Sequence, residues 1–159
     1  MTITVLVIGS LKESYWREAE KEYLKRLSPY SKIEVLEFPD YSLKDKASLK
    51  DIEDLKNKEA EKVLKHLKPS DFVVTLDLNK EEPDSVSLSK KIENYFERGN
   101  SHINFIIGGS YGLSDDLKKR ANASLSLSKL TFTHQMTRII LLEQIYRSFK
   151  ILHNEKYHK

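Results

Sequence analysis

Two stretches of this sequence carry residues whose types and spacing suit chemistry. The first is Gly108-Gly109-Ser110-Tyr111-Gly112, directly after the apolar run Ile103–Ile107. Glycines let a backbone approach a ligand closely and adopt positive φ. In an open α/β sheet, ligands bind outside the carboxyl ends of strands, which is where such a loop would lie. The plainer alternative is a tight strand-to-helix turn that binds nothing. The second stretch runs from Leu127 to Arg138, Leu-Ser-Lys-Leu-Thr-Phe-Thr-His-Gln-Met-Thr-Arg. Thr133 is placed to cap a helix that follows it. His134 and Arg138 are then i and i+4 on one face of its first turns. Glu143 and Arg147 repeat that spacing further along. His134 alone reads more readily as a structural histidine than as a catalytic one.

Known signatures divide on these residues. The glycine loop is not a P-loop, because no Gly-Lys-Ser/Thr follows, and it is not GxGxxG. It does match G-x-S-x-G, the nucleophile elbow of α/β hydrolases, with Ser110 as nucleophile. That chemistry needs an acid and then a histidine later in the chain. After Asp116 the only acids are Glu143 and Glu155, and there is no HGGG-type oxyanion sequence. The serine hydrolase is therefore the weaker reading. The five histidines show no HExxH or similar spacing and there is no cysteine, so no metal site is expected. From Arg147 to Lys159 the tail carries four Lys/Arg and one Glu, with Phe149 and Tyr157 interleaved. Stacking and phosphate attraction would use such a tail. A frayed, solvated terminus is the plainer expectation.

The elements that must position these residues follow from the hydrophobic pattern. Ile3–Gly9, Ile33–Phe38, Phe72–Leu78, Ile103–Ile107 and Ala123–Leu127 read as strands. The nearly continuous apolar ones suggest burial on both faces, as in a parallel sheet. Helical patterns cover Glu13–Leu27, Leu49–Leu67, Val86–Arg98, Leu113–Ala121 and His134–Leu152. The first carries a stripe of Tyr15, Ala19, Tyr23 and Leu27. Ser114 is the expected cap of the fourth, and Gly99 stops the third. The last is apolar all round, with Ile139–Leu142 consecutive, which points to burial on two sides, with a second copy of the chain as the natural partner and a central helix covered by its own chain as the alternative. Pro39–Lys46 and Asn79–Asp84 read as loops. Alternating strands and helices mean an α/β fold with a mostly parallel sheet flanked by helices.

Composition sets the remaining bounds. The chain has 159 residues, which fits one domain over 1–159. Lys plus Arg is 27 and Asp plus Glu is 24, a net charge of +3 that permits a nucleic-acid partner and excludes histone-like blanket binding. The apolar run at the N-terminus is too short for a signal peptide, and no run is long enough to span a membrane. A cytoplasmic protein is the expectation. What the charged segment Asp45–Lys62 contacts is left open by the sequence.

The order of GGSYG, ASLSLSKLTF, THQMTRIILLEQIYRSFKI and the closing YHK, together with the opening ITVLVIGSLKESYW, closely resembles the RlmH family of SPOUT-class methyltransferases over the whole chain. The resemblance implies methyl transfer from S-adenosyl-L-methionine to N3 of a pseudouridine in large-subunit (23S) ribosomal RNA. It also implies a C-terminal trefoil knot, a homodimer and a cofactor held in the knot. Carried over to this sequence, the cofactor contacts are Leu76, Gly108, Leu127, Ser128, Lys129, Leu130, Thr131 and Phe132. The catalytic candidates are Arg138, His134, Tyr157 and His158. Arg138 would stabilise charge on the uracil ring or hold a phosphate, and Tyr157 and His158 would stack on or deprotonate the base, from either subunit. Relatives often carry Pro where this chain has Thr133. A small, mildly basic chain without a recognisable RNA-binding module is expected to read a preassembled ribosomal surface. A non-catalytic RNA- or ribosome-binding module of the same fold is the competing reading.

Overall fold

A computed structural model describes all 159 residues. Five parallel strands form one sheet in the order β2-β1-β4-β3-β5. They are β1 (Thr2–Ile8), β2 (Lys32–Phe38), β3 (Val73–Glu81), β4 (His102–Ile107) and β5 (Ala123–Leu125). Helices α1 (Ser14–Leu27), α2 (Leu49–His66), α3 (Ser85–Arg98), α4 (Asp115–Arg120) and α5 (His134–Leu152) connect and cover them.

The continuous apolar strands arise because successive side chains enter two different cores. Ile3, Val5 and Val7 of β1, with Ile103, Phe105 and Ile107 of β4, point to a larger core shared with α3 and α5. Leu6 and Ile8, with Ile106, point to a smaller core under α2 and α4. Period-two alternation thus survives as alternation between cores rather than between core and water.

The helix bounds follow local capping. Ser48 and Asp51 form a reciprocal capping box on α2, and Asp84, Ser114 and Thr133 each accept a backbone N–H at the starts of α3, α4 and α5. Two expectations need correction. Tyr15 is not part of the buried stripe of α1; it is 61% exposed, and the inward face is carried by Tyr23, Leu24 and Leu27 instead. Asn79–Glu81 is not loop but continues β3. The distant segment after β5 holds it there: Ser126 N–H donates to Glu81 O at 2.9 Å and Lys80 N–H donates to Ser126 Oγ at 2.8 Å. No helix is long and apolar enough to cross a membrane.

α5 buries Leu141, Leu142, Ile145 and Phe149 against the sheet and its neighbours α1 and α3. Ile139, Ile140, Tyr146 and Ile151 remain half-exposed on the single chain. Its start, at the carboxyl edge of the sheet, is where the candidate site lies.

Candidate functional site

A cleft of about 750 Å³ opens at the carboxyl ends of β3 and β4. Drug-sized ligands fill sites of roughly 300–1,000 Å³. One wall is the glycine loop Gly108–Gly112, which closes on itself through Gly112 N–H donating to Gly109 O at 3.0 Å. Gly112 takes φ +86°, a backbone conformation open to glycine at little cost, and a Cβ there would meet nothing. The opposite wall is the segment after β5. Leu76, Leu127, Ser128, Leu130, Thr131 and Phe132 line the space between.

That segment has an unusual hydrogen-bonding state. From Leu127 to Phe132 the only internal bond made by the main chain is Leu130 N–H to Ser128 Oγ at 3.0 Å. The remaining N–H and C=O groups of six residues are left to solvent or a ligand. Leu130 is 70% exposed at the cleft and Tyr111 and Leu78 are also exposed there, so an apolar lip surrounds unpaired main-chain polar groups. Such a surface suits a ligand with a flat heteroaromatic part and several hydrogen-bonding groups.

At one end of the cleft, His134 opens α5. Gly9, at φ +121°, packs straight onto the imidazole: a Cβ at Gly9 would lie 2.7 Å from His134 Cε1. His134 Nδ1 is buried with no hydrogen-bond partner. Burial lowers its pKa, with Asp40 opposing and Arg138 reinforcing the shift, so the ring is neutral at neutral pH.

Arg138, one turn on, does not face the cleft. It is 2% exposed and forked between two carboxylates. Its Nε and Nη2 donate to Glu20 of α1, the latter at 3.1 Å, and Nη1 donates to Glu37 of β2 at 2.8 Å. Burial works against the guanidinium charge, but the two carboxylates outweigh it and raise the pKa. Glu37 also accepts from Leu11 N–H at 3.3 Å, and Gln135 accepts from Lys12 N–H at 3.1 Å. The first turn of α5 is thereby tied to the loop after β1.

The tail is folded back on α5 rather than frayed. Tyr157 OH donates to Glu143 Oε1 at 3.0 Å, its ring sits edge-on to Tyr146 at 4.9 Å, and Arg147 lies 4.7 Å over it. Burial, then the Glu143 contact, raises the Tyr157 pKa. His158 is exposed and lines a second hollow with Asp84, Ser85 and Gln144. Leu127 borders both that hollow and the main cleft.

The structure therefore brings together Leu76, Gly108, Leu127, Ser128, Leu130, Thr131, Phe132 and His134 around one cleft. Lys129 is exposed beside it without lining it, His158 is next door, and Arg138 and Tyr157 stand apart. Ser110 sits within the glycine turn and hydrogen-bonds to no acid or histidine, unlike a hydrolase nucleophile. Glu59 of α2, absent from the sequence-based candidates, is 3% exposed and lies against Gly109. Its sequence signal was position: it stands four residues after Leu55 and four before Val63, inside the buried stripe of α2.

The profile of a family described as predicted SPOUT methyltransferases matches residues 1–158. The chain belongs to the SPOUT methyltransferase family. It is accordingly a methyltransferase, of a family that generally uses S-adenosylmethionine. Among solved structures it resembles a probable methylase family protein from Haemophilus influenzae Rd KW20, with a TM-score of 0.54 at 13% identity over 99% of this chain and 70% of that one. At that identity the likeness shows a shared fold alone. The cleft fits the methyl donor: unpaired main chain from Leu127 to Phe132, an apolar lip and a glycine loop that admits close approach.

Proposed function

We propose that this SPOUT methyltransferase acts on N3 of a pseudouridine in large-subunit ribosomal RNA, using S-adenosylmethionine, as a homodimer on the assembled ribosome. The observation that carries the reading is the six-residue segment Leu127–Phe132, its main chain unpaired, facing Gly108 across a cleft of ligand size. When bound, the cofactor supplies a methyl group made electrophilic by the sulfonium.

Leu76, Gly108, Leu127, Ser128, Leu130, Thr131 and Phe132 would hold that group by main-chain hydrogen bonds and apolar contact, and so would orient the donor toward the acceptor. His134 is neutral and borders the cleft, so its imidazole can take the proton that leaves N3 through Nε2, Nδ1 being buried against Gly9. Arg138 acts by fixing the turn that carries His134. His158, exposed beside Leu127, is available to the acceptor base, while Tyr157 is held against α5 by Glu143 and Arg147. The half-exposed apolar residues of α5 support a second copy as partner. Ser126 donates to Asp77 O and Glu81 O and accepts from Lys80 N–H, which holds the segment after β5 against the β3 extension; a threaded C-terminal part belongs to the proposal.

The test is transfer of labelled methyl to ribosomes lacking the modification and to the same RNA stripped of protein. Label in ribosomal RNA only, at N3 of a pseudouridine, is the expected result. Label in both substrates keeps the reaction and removes the need for assembly. No label in either, from a folded chain, overturns the proposal.

A further inference from the structure

Only two buried side-chain polar atoms lack a hydrogen-bond partner, His134 Nδ1 and Glu59 Oε1. His134 borders the cleft and enters the proposed reaction. Glu59 has no role in it, yet a buried carboxyl group without a counter-charge is costly unless something compensates it.

Its surroundings show how little the chain itself provides. Glu59 Oε2 accepts from Tyr41 N–H at 2.9 Å. Both carboxyl oxygens pack on Gly109, where a Cβ would lie 3.1 Å from Oε1 and 3.2 Å from Oε2. Three cations on this side of the cleft are engaged elsewhere. Lys56, on the cleft wall one turn earlier, pairs with Glu53 at 3.4 Å. Lys58 lies over the Tyr41 ring at 4.1 Å. Lys118 of α4, also on the cleft wall, pairs with Asp77 at 3.7 Å. The remaining charged neighbour is Asp40, which adds repulsion, and His134 across the sheet edge is neutral. A carboxyl group with no cation of its own has thus been placed directly behind the glycine loop, whereas the carboxylate on the cleft wall itself, Asp77, is paired with Lys118.

We infer that Glu59 supplies the negative charge that makes this cleft prefer a cationic ligand over its neutral counterpart, S-adenosylmethionine over S-adenosylhomocysteine. The inference rests on the methyl-donor reading of the cleft. Methyl transfer to N3 converts a sulfonium cation into a neutral thioether and releases the N3 proton. A carboxylate held behind Gly109 attracts the first species and not the second, so it favours loading of donor and release of product. Burial, with repulsion from Asp40, holds the free carboxyl above its ordinary value, and a cation in the cleft lowers it again. Donor binding is then coupled to loss of a proton.

Calorimetric titration of the full chain with each compound tests this. Wild type is expected to bind S-adenosylmethionine more tightly, and Glu59→Gln to lose roughly tenfold toward it while changing less than about twofold toward S-adenosylhomocysteine, as one unit charge in a partly shielded site predicts. Equal losses toward both compounds would mean a structural role only, and no loss would mean no role; either overturns the inference. A second measurement needs no stable variant. Over a pH series above the ordinary carboxyl value of 4.5, in buffers of different ionisation enthalpy, wild type should release more protons on binding the sulfonium than on binding the thioether. Equal proton release for both overturns it as well. If wild type binds neither compound, the methyl-donor reading fails with it; if it binds both equally, only the role of Glu59 fails.

Discussion

Arg138 and Glu59 are both charged, both almost completely buried, and treated by the chain in opposite ways. Arg138 meets two carboxylates, one from α1 and one from β2, and its charge is satisfied before any ligand arrives. Glu59 meets one backbone N–H and a neighbouring acid, and one of its oxygens has no partner. A buried charge neutralised by its own chain is architecture. A buried charge left open beside a cleft is a feature of the site. Residue type pointed the other way, because an arginine beside a histidine looks catalytic and a glutamate in a charged helix looks solvated.

Breaking the compensated charge should have the largest effect. Arg138→Ala leaves Glu20 and Glu37 facing each other near the start of α5. Removing one partner of a buried ion pair costs about 3–5 kcal/mol; with Glu37 partly exposed, about 3 kcal/mol is expected, read by urea denaturation. A loss under about 1 kcal/mol would put the network in the class of surface pairs. Next comes Gly9→Ala, which forces a Cβ against the His134 ring at a positive φ; about 2 kcal/mol is expected from strain and overpacking together. The same urea titration reads it, and the His134 imidazole resonances should shift while those of His102 stay in place.

The uncompensated charge should respond with the opposite sign. The folded chain holds the Glu59 carboxyl above its ordinary value of 4.5. Below 4.5 both states carry the proton and the group costs nothing. As the pH rises through the raised folded value, the unfolded chain ionises more readily and stability is lost. Glu59→Gln should therefore match wild type near pH 4 and melt higher at pH 7. A lower melting temperature at pH 7 would show that the charge is compensated after all. The smallest effect is expected from Thr133→Ala, which removes the hydrogen bond from Met136 N–H to Thr133 Oγ1 at 3.3 Å and costs about 0.5–1 kcal/mol by thermal melting. It frays the first turn without touching either charge.

Much of the fold was legible because it is written locally. Buried parallel strands leave continuous apolar runs, and Ser114 and Thr133 announce helix starts through bonds only three residues long. The glycine loop stood out by its glycines at a strand end and Leu127–Phe132 by the resemblance, and the fold brings both to one cleft. What stayed hidden depends on distant partners. Glu20 and Glu37 lie 118 and 101 residues from Arg138, so nothing near Arg138 showed that its charge was already satisfied. The strand character of Asn79–Glu81 comes from Ser126, some 46 residues away from Lys80. Tyr15 matched the helical period and yet faces water, because the period gives a face and not its extent. Glu59 was visible only as a charge in an apolar position, a signal that composition by helix conceals.

The most direct measurement is a titration of isotope-labelled protein with S-adenosylmethionine, followed by backbone amide resonances. Shifts concentrated at Gly108 and Leu127–Phe132, with a smaller response at Gly109 and Tyr41 on either side of Glu59, are the expected result. Shifts confined to the hollow beside His158, or no shifts at millimolar ligand, would contradict the assignment of the cleft to the methyl donor.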